Sequence, residues 1–336
     1  MKIVHAYIIA VLMLGLVSCR KSHIDPVDVS TVPIDFNVAQ ATKATIFEKD
    51  ADLIESSKGG GDFTVSAYKS GTTERYIYNR HVWYFQDGRS WHFYDDDVNN
   101  VTDVYWPNTF DLDFVAYMPY QDASCYTGVT LHDYTAADGP SFSCDLPLDG
   151  TGQENLYEFI YAYEKNQNKD NIGSDGRKGV VKLNFRHPFS SVVIILSESY
   201  RMAINWIKIT GIYNEGVFDA ANGWTPASGA VRKDLNVNIG KNVPDDINYN
   251  TPIGGPYVIM PQDLNVGVFL EINFNRDDKP AETKSVCLYA PAIPKWEPGK
   301  RYTYNLTMGD PLEEILFNVA VEEWHVIDYK NEIEVE

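Results

Sequence analysis

The sequence predicts an all-β protein built from antiparallel β-sandwich domains in tandem, behind a segment that serves as an export signal. Three observations predict it. The chain carries 22 Tyr, 15 Phe and 7 Trp, residue types that suit a pleated, half-buried surface. Its apolar residues recur with period two in short runs separated by Gly, Pro, Asn and Asp, and no helical pattern extends beyond two turns. Its first nineteen residues form a positively charged start, an apolar run and a small-residue end before a cysteine.

In chain order, Met1-Lys2 is the charged start, Ile3 to Val17 the apolar run, and Leu16-Val17-Ser18-Cys19 a lipobox. The run is shorter than the roughly 20 residues of a membrane-spanning helix. The expectation is a signal peptide over residues 1–18 and lipid attachment at Cys19, several acyl chains giving stable anchorage. Residues 19–33 are polar, contain two prolines and show no sustained period, so they read as a lipidated tether.

The 318 residues from Cys19 onward suit about two domains. Ile34, Phe36 and Val38 alternate with Asp35, Asn37 and Ala39 as a first strand, and further strands are expected at 62–68, 76–85, 90–94, 110–117 and 156–163. Residues 166–179 lack apolar periodicity and read as a surface loop at a boundary. Alternation then resumes at Val181, Leu183 and Phe185, with strands at 189–196, 204–212, 256–260, 266–274, 285–289, 302–308 and 316–321. The expected domains are therefore 34–178 and 179–336. Many short strands without long helices between them favour antiparallel sandwiches over a parallel α/β sheet.

A formal charge of −19 excludes a nucleic-acid-binding surface and a basic membrane-binding face. Beyond Cys19 there are three cysteines, Cys125, Cys144 and Cys287. Cys125 and Cys144 flank a turn-rich segment and either bridge or remain buried thiols. No nucleophile motif, metal-helix motif, phosphate loop or dinucleotide fingerprint occurs, so no catalytic residue, metal site or cofactor is expected. His81 and His92 read as structural histidines in aromatic strands, and His187 as a strand-end residue. Asp95-Asp96-Asp97 and the segment 170–176 lack the spaced oxygen ligands of a calcium loop and read as turns. Trp83, Trp91 and Trp106 form a candidate platform for stacking on glycan rings, although neighbouring residues of a strand face opposite ways and part of this set must fill the core.

Several segments, taken in order, resemble the fimbrillin (Mfa-like) family of lipoprotein pilus subunits of gut and oral anaerobes. They are Lys43-Ala44-Thr45, the strand Gly59 to Tyr68, Tyr105-Trp106-Pro107, Leu112 to Pro119, Leu183 to Pro188, Gly211 to Phe218 with Gly223-Trp224, Val258 to Gln262, Pro298 to Tyr302, and Val319 to Trp324. The resemblance spans nearly the whole mature chain. It implies two transthyretin-like sandwiches, delivery to the outer membrane as a surface lipoprotein, and assembly into a type V pilus whose partners are other fimbrial subunits. In that family a trypsin-like protease removes an N-terminal segment with its first strand, and a strand from the next subunit fills the groove.

On that basis Ile34, Phe36 and Val38 are the inward face of the removable strand. The candidate donors are Ile315, Phe317, Val319 and Val321, or the terminal Ile333 and Val335. The chain departs from members that mature by Arg-specific cleavage, since no arginine lies between Arg20 and Arg75. Lys43, Lys49 and Lys58 are the candidate cleavage sites. If none is cut, the resemblance implies a non-polymerising anchor, and a stand-alone glycan-binding lipoprotein is the other alternative.

Overall fold

A computed structural model of the chain describes residues 28–40, 62–85, 90–95, 100–120, 125–126, 128–149, 159–173, 176–197, 203–237, 250–253, 255–265, 267–275, 279–308 and 315–324. Among these residues the secondary structure is all β, in several sheets and without a helix. The strands in the first half are β1 (Val29–Pro33), β2 (Asp35–Gln40), β3 (Phe63–Lys69), β4 (Arg75–Phe85), β5 (Ser90–Asp95), β6 (Asn100–Val101), β7 (Tyr105–Pro107), β8 (Leu112–Met118), β9 (Cys125–Tyr126), β10 (Val129–Leu131), β11 (Ser141–Asp145) and β12 (Ile160–Gln167). Those in the second half are β13 (Val180–Phe185), β14 (Ser190–Leu196), β15 (Ala203–Ile212), β16 (Glu215–Asp219), β17 (Gly223–Pro226), β18 (Lys233–Val237), β19 (Tyr257–Ile259), β20 (Phe269–Asn275), β21 (Glu282–Cys287), β22 (Lys300–Met308) and β23 (Ile315–Glu323).

The first sheet runs β12-β8-β3-β4-β5-β2-β13, with β6 added on β5. Its two ends meet: Tyr161 and Arg186 exchange backbone hydrogen bonds of 3.1 and 3.0 Å, which closes the path into a barrel. The inward residues form one core, among them Phe36, Phe63, Val65, Trp91, Phe93, Phe114, Ala116, Ile160, Val181 and Leu183. Small Ala67, Ala116 and Ala162 alternate with large rings there, so the interior fills without a channel.

The other face of β3, β8 and β12 is also covered. A second sheet, β17-β16-β11-β10-β9, lies over it, and Tyr68, Val115, Tyr117 and Tyr161 pack with Phe142, Phe159, Phe189, Phe218 and Trp324. This explains why β8 is buried at all seven positions and shows no polar face. The second sheet joins strands from both halves, because β11 pairs with β16 over five positions, from Ser141↔Asp219 to Asp145↔Glu215. Phe142 and Phe218 stack across that seam at 4.7 Å.

The third core is a sandwich of two four-stranded sheets, β19-β14-β22-β23 and β18-β15-β20-β21, around Val192, Ile194, Ile207, Ile209, Leu270, Ile272, Tyr302 and Leu306. The Trp296 indole donates to the Tyr304 hydroxyl at 3.0 Å inside it, so a polar group of each large ring is satisfied. At the junction with the second sheet, buried His187 stacks on Trp324 at 3.9 Å, and Trp324 is held by its backbone to Gly299.

Several expectations are corrected. Residues 29–33, read as tether, form β1 and pair with β7. Gly179 sits against both: at φ +78° it approaches so closely that a Cβ would stand 2.6 Å from Val32 and 2.8 Å from the Trp106 indole nitrogen, which donates to the Gly179 carbonyl. Pairing is not wholly antiparallel, since β2–β13 and β14–β22 are parallel. The strands β6, β7, β9, β10, β11, β16, β17 and β18 had no expected counterpart; their short runs alternate too briefly to register against the turns around them.

Cys144 is a buried free thiol. It stands opposite Val129 on β10, while Cys125 on β9 lies one strand further out, opposite Thr130. Two strand spacings amount to roughly 9.5 Å, beyond the separation a disulfide spans. Burial pushes the Cys144 thiol up to about 12, which makes it unreactive.

Because β11–β16 stitches the halves through one shared core, heating should unfold them in a single calorimetric transition with equal van't Hoff and calorimetric enthalpies. Phe142→Ala, which empties the centre of the seam, should lower stability by about 4 kcal/mol. Two transitions, only one of them moved by the substitution, would show the halves to be independent.

Candidate functional site

The strand β2 is a stave of the barrel with both edges engaged by strands distant in sequence. It runs parallel to β13 in register from Asp35↔Val180 to Gln40↔Phe185, and antiparallel to β5 through Phe36↔Trp91. Phe36 meets Phe63, Phe93 and Phe114 edge to face at 5.7, 5.4 and 6.0 Å. Ile34 and Val38 are buried in the same core. The remaining staves pair among themselves without β2, as β5-β4-β3-β8-β12 with β13 tied on by the Tyr161–Arg186 bonds. Loss of β2 alone would thus leave a slot with two unpaired backbone edges and a floor of aromatic rings.

The outward residue of this strand is tied as firmly as the inward ones. Asp35 is 8% exposed, receives a 2.6 Å hydrogen bond from the Arg177 guanidinium and lies 3.3 Å from Nδ1 of His92. Arg177 precedes β13 and His92 belongs to β5, so the carboxylate clasps both walls of the slot. The alternation of Ile34, Asp35 and Phe36 puts Asp35 on the polar face in the sequence, but its guanidinium partner lies 142 residues away and leaves no local signal.

The candidate donor residues Ile315, Phe317, Val319 and Val321 lie on β23, an edge strand paired with β22 across nine positions. Ile315 is buried, and Phe317 and Val319 pack on the sandwich core, whereas Val321 is exposed. Cys19, the candidate cleavage sites Lys43, Lys49 and Lys58, and Ile333 and Val335 lie outside the described residues.

The glycan platform is corrected. Trp91 and Trp106 are core residues of the barrel, 2% and 0% exposed, and only Trp83 faces solvent, at 41%. Trp83 sits with Tyr94 and His81 at 4.9 and 5.8 Å on the outer face. His81 is structural: it is buried, bonds Asp62 at 2.7 Å and stacks on Tyr120.

Sequence reasoning missed two clefts. One, of about 420 Å³, is lined by Tyr68, Tyr78, Tyr117, Tyr134, His132 and Asp133 on the outer face of the barrel. The other, of about 510 Å³, lies between the β16–β17 hairpin and the loops before β20 and β22, with Trp224, Tyr213, Arg232, Gln262 and Lys295 in its wall. Gln262 bonds the backbone of Tyr213 through both ends of its amide, at 2.8 and 3.0 Å, which fixes that wall. Ring faces and polar edges of this kind accept a ligand with apolar faces and hydroxyl edges. Among the described residues no group of three or more His, Cys, Asp or Glu is placed to hold a metal ion.

Below the tyrosine cleft, Asp113 is 3% exposed and accepts hydrogen bonds from the Ser70 hydroxyl (2.7 Å), the Asn166 amide (2.9 Å), the Tyr134 hydroxyl (2.9 Å) and the Gly71 amide (3.3 Å). Burial works to raise its carboxyl, but these four donors outweigh it and hold the group below its ordinary value.

The sequence model of the family described as fimbrillin-like matches residues 42–324. No curated protein matches the chain in sequence. Among solved structures, a fimbrial protein from Bacteroides vulgatus is similar at 17% identity and TM-score 0.56, covering 88% of this chain and 100% of that one. A protein from Bacteroides uniformis put forward as a cell adhesion protein is similar at 14% identity and TM-score 0.54, covering 88% and 98%. Another of that description from Bacteroides ovatus is similar at 18% identity and TM-score 0.51, covering 87% and 98%.

Asp113 contributes stability that is complete above its unfolded value of 3.8 and is lost as pH falls through the lower folded value. Asp113→Asn should therefore cost about 3 kcal/mol at neutral pH, the scale of several bonds to a charged acceptor. The gap between the urea midpoints of the two proteins should narrow in acid. A gap indifferent to pH would show that the carboxylate's charge does not matter.

Proposed function

Because the chain belongs to the fimbrillin-like family of cell-surface adhesion proteins, which are not enzymes, we propose that it is a structural and adhesive fimbrial subunit that assembles by exchange of its first strand. In this reading residues 1–18 direct export and Cys19 carries the lipid that anchors the precursor to the outer membrane. Cleavage at Lys43, Lys49 or Lys58 then releases β2 together with the anchor, and a strand from another fimbrial subunit takes the slot. The observation that carries the reading is the seat of β2. Both of its partners lie far along the chain, and its slot offers what a donor strand needs, unpaired amides and carbonyls over apolar pockets.

We also read the chain as two tandem transthyretin-like domains. The pair of four-stranded sheets around the C-terminal core supports this for the second. Pairing of β13 with β2 favours a boundary after Phe185 over one at residue 178. One observation favours a second role. The absence of arginine from residue 21 to residue 74 removes the sites an Arg-specific protease would use, and an uncut subunit keeps both β2 and its lipid, as a basal anchor must.

Low-dose trypsin on the delipidated precursor separates these roles. Cleavage within residues 43–58, loss of the fragment bearing β2 and SDS-resistant ladders are expected of a polymerising subunit. A protein that resists cleavage and stays monomeric would sink polymerisation and leave the anchor; the same monomer shifting on a glycan array would mark a stand-alone lectin.

A further inference from the structure

We propose that the tyrosine cleft on the outer face of the barrel binds a neutral saccharide, one sugar ring stacking on Tyr78 and its hydroxyls bonding to Asn79, His132 and Asp133. The proposal goes beyond strand exchange, because the cleft is walled by β3, β4, β8 and the end of β10 with the loop after it, and not by β2.

The backbone of β4 is bent to make this wall. Val65 pairs with Arg80 but Ala67 with Ile77, so Ser66 alone stands opposite Tyr78 and Asn79, and β4 carries one extra residue there. Asn79 takes φ +49°, in the left-handed region that residues other than glycine seldom occupy, and its amide donates to the Ser66 hydroxyl at 2.9 Å. Neighbours in a regular strand face opposite ways, whereas Tyr78 and Asn79 both line the cleft. The bulge does this without opening the barrel, since Ile77 and Val82 on either side of it stay in the core. The floor is fixed as well, because the Tyr134 hydroxyl is tied to Asp113 at 2.9 Å and its ring stacks on Tyr68 at 4.2 Å.

The wall has one open ring among polar groups. Tyr78 is 55% exposed, whereas Tyr68, Tyr117 and Tyr134 are buried. The Arg75 guanidinium lies 4.0 Å over the Tyr78 ring and is held by Asp133 at 3.2 Å, which steadies the ring and leaves its second face for a ligand. Among the described residues the Asn79 carboxamide makes no hydrogen bond, His132 uses only Nε2, on Ser143 at 3.1 Å, and Asp133 uses only one oxygen, on Arg75. A single apolar face ringed by donors and acceptors matches a sugar ring, and the volume of about 420 Å³ suits a small ligand. Charge decides the kind of sugar. The acid at the rim is balanced by Arg75, and no lysine or arginine lines the wall to receive the carboxylate of an acidic sugar. A proline-rich peptide needs successive ring-lined slots, which one open ring does not supply.

The test places the delipidated, uncut full chain on an array of neutral oligosaccharides ending in galactose, mannose, fucose or N-acetylglucosamine, with sialylated glycans and a proline-rich peptide alongside. At least one neutral glycan should bind. Tyr78→Ala should weaken that binding about tenfold, the scale of a lost ring contact, and Asn79→Gly about fivefold, the scale of a lost hydrogen bond. Glycine adopts the left-handed backbone readily, so Asn79→Gly removes the carboxamide and keeps the bulge; its urea midpoint should not fall. Should Tyr78→Ala fold poorly, Asn79→Gly decides alone. Trp83→Ala, outside the cleft wall, should leave binding unchanged. Failure of every neutral glycan to bind overturns the proposal, as does binding that Asn79→Gly leaves intact, or binding confined to sialylated glycans or to the peptide. Since β2 is neither cut nor displaced in any arm, each of these results leaves strand exchange standing.

Discussion

The closure of the first barrel by β2 is the constraint on which the rest of the molecule depends. Phe36 is the ring that Phe63, Phe93 and Phe114 all touch, and the backbone on either side of it completes two ladders that would otherwise be open edges. Yet its ladder partners, β5 and β13, both lie far along the chain. Its parallel partner is β13 and its carboxylate answers Arg177, so the entropy of closing a very long loop opposes its docking. A strand so placed is central to the core yet paired wholly by long-range contacts, which is the arrangement the proposed exchange requires.

The rest of the barrel is braced by the second sheet. By joining β11 to β16 it makes the outer face of the barrel and the C-terminal sandwich share one aromatic core, from Tyr68 through Phe142 and Phe218 to Trp324. Asp113 secures the same region from the polar side, fastening the turn after β3, the Tyr134 loop and the end of β12 to one carboxylate. The two long-range ties, one of aromatic packing and one of hydrogen bonds to a carboxylate, fasten β3, β8 and β12 to the sheet that covers them.

A surface subunit of the fimbrillin-like family needs assembly and display more than chemistry, and the features of this chain divide along that line. In the proposed reading the slot of β2 serves assembly. The tyrosine cleft and the Trp224 cleft lie elsewhere, on the outer face of the barrel and at the β16–β17 hairpin, where a neighbour inserted at β2 would not occupy them. The net charge of −19 favours solubility and mutual repulsion between copies.

The sequence by itself determined the class of fold and most of the strands. Wherever one face of a strand is buried and the other wet, as at Phe269 to Asn275 or Lys300 to Met308, the period of two is written into the residues. It also determined that Ile34, Phe36 and Val38 point inward, since their parity needs no partner to be read. Only the tertiary structure decided which neighbours those residues have. Periodicity carries no information about pairing, so the parallel contact with β13, the shared sheet through β16 and the separation of Cys125 from Cys144 could not be read. The same limit misassigned the tryptophans. Trp83 and Trp91 stand in strands of similar aromatic composition, and the sheet that covers one face and leaves another open put Trp91 in the core and Trp83 in water. It also hid the role of Asp35, an ordinary polar residue of an alternating strand until the fold brings Arg177 and His92 to it.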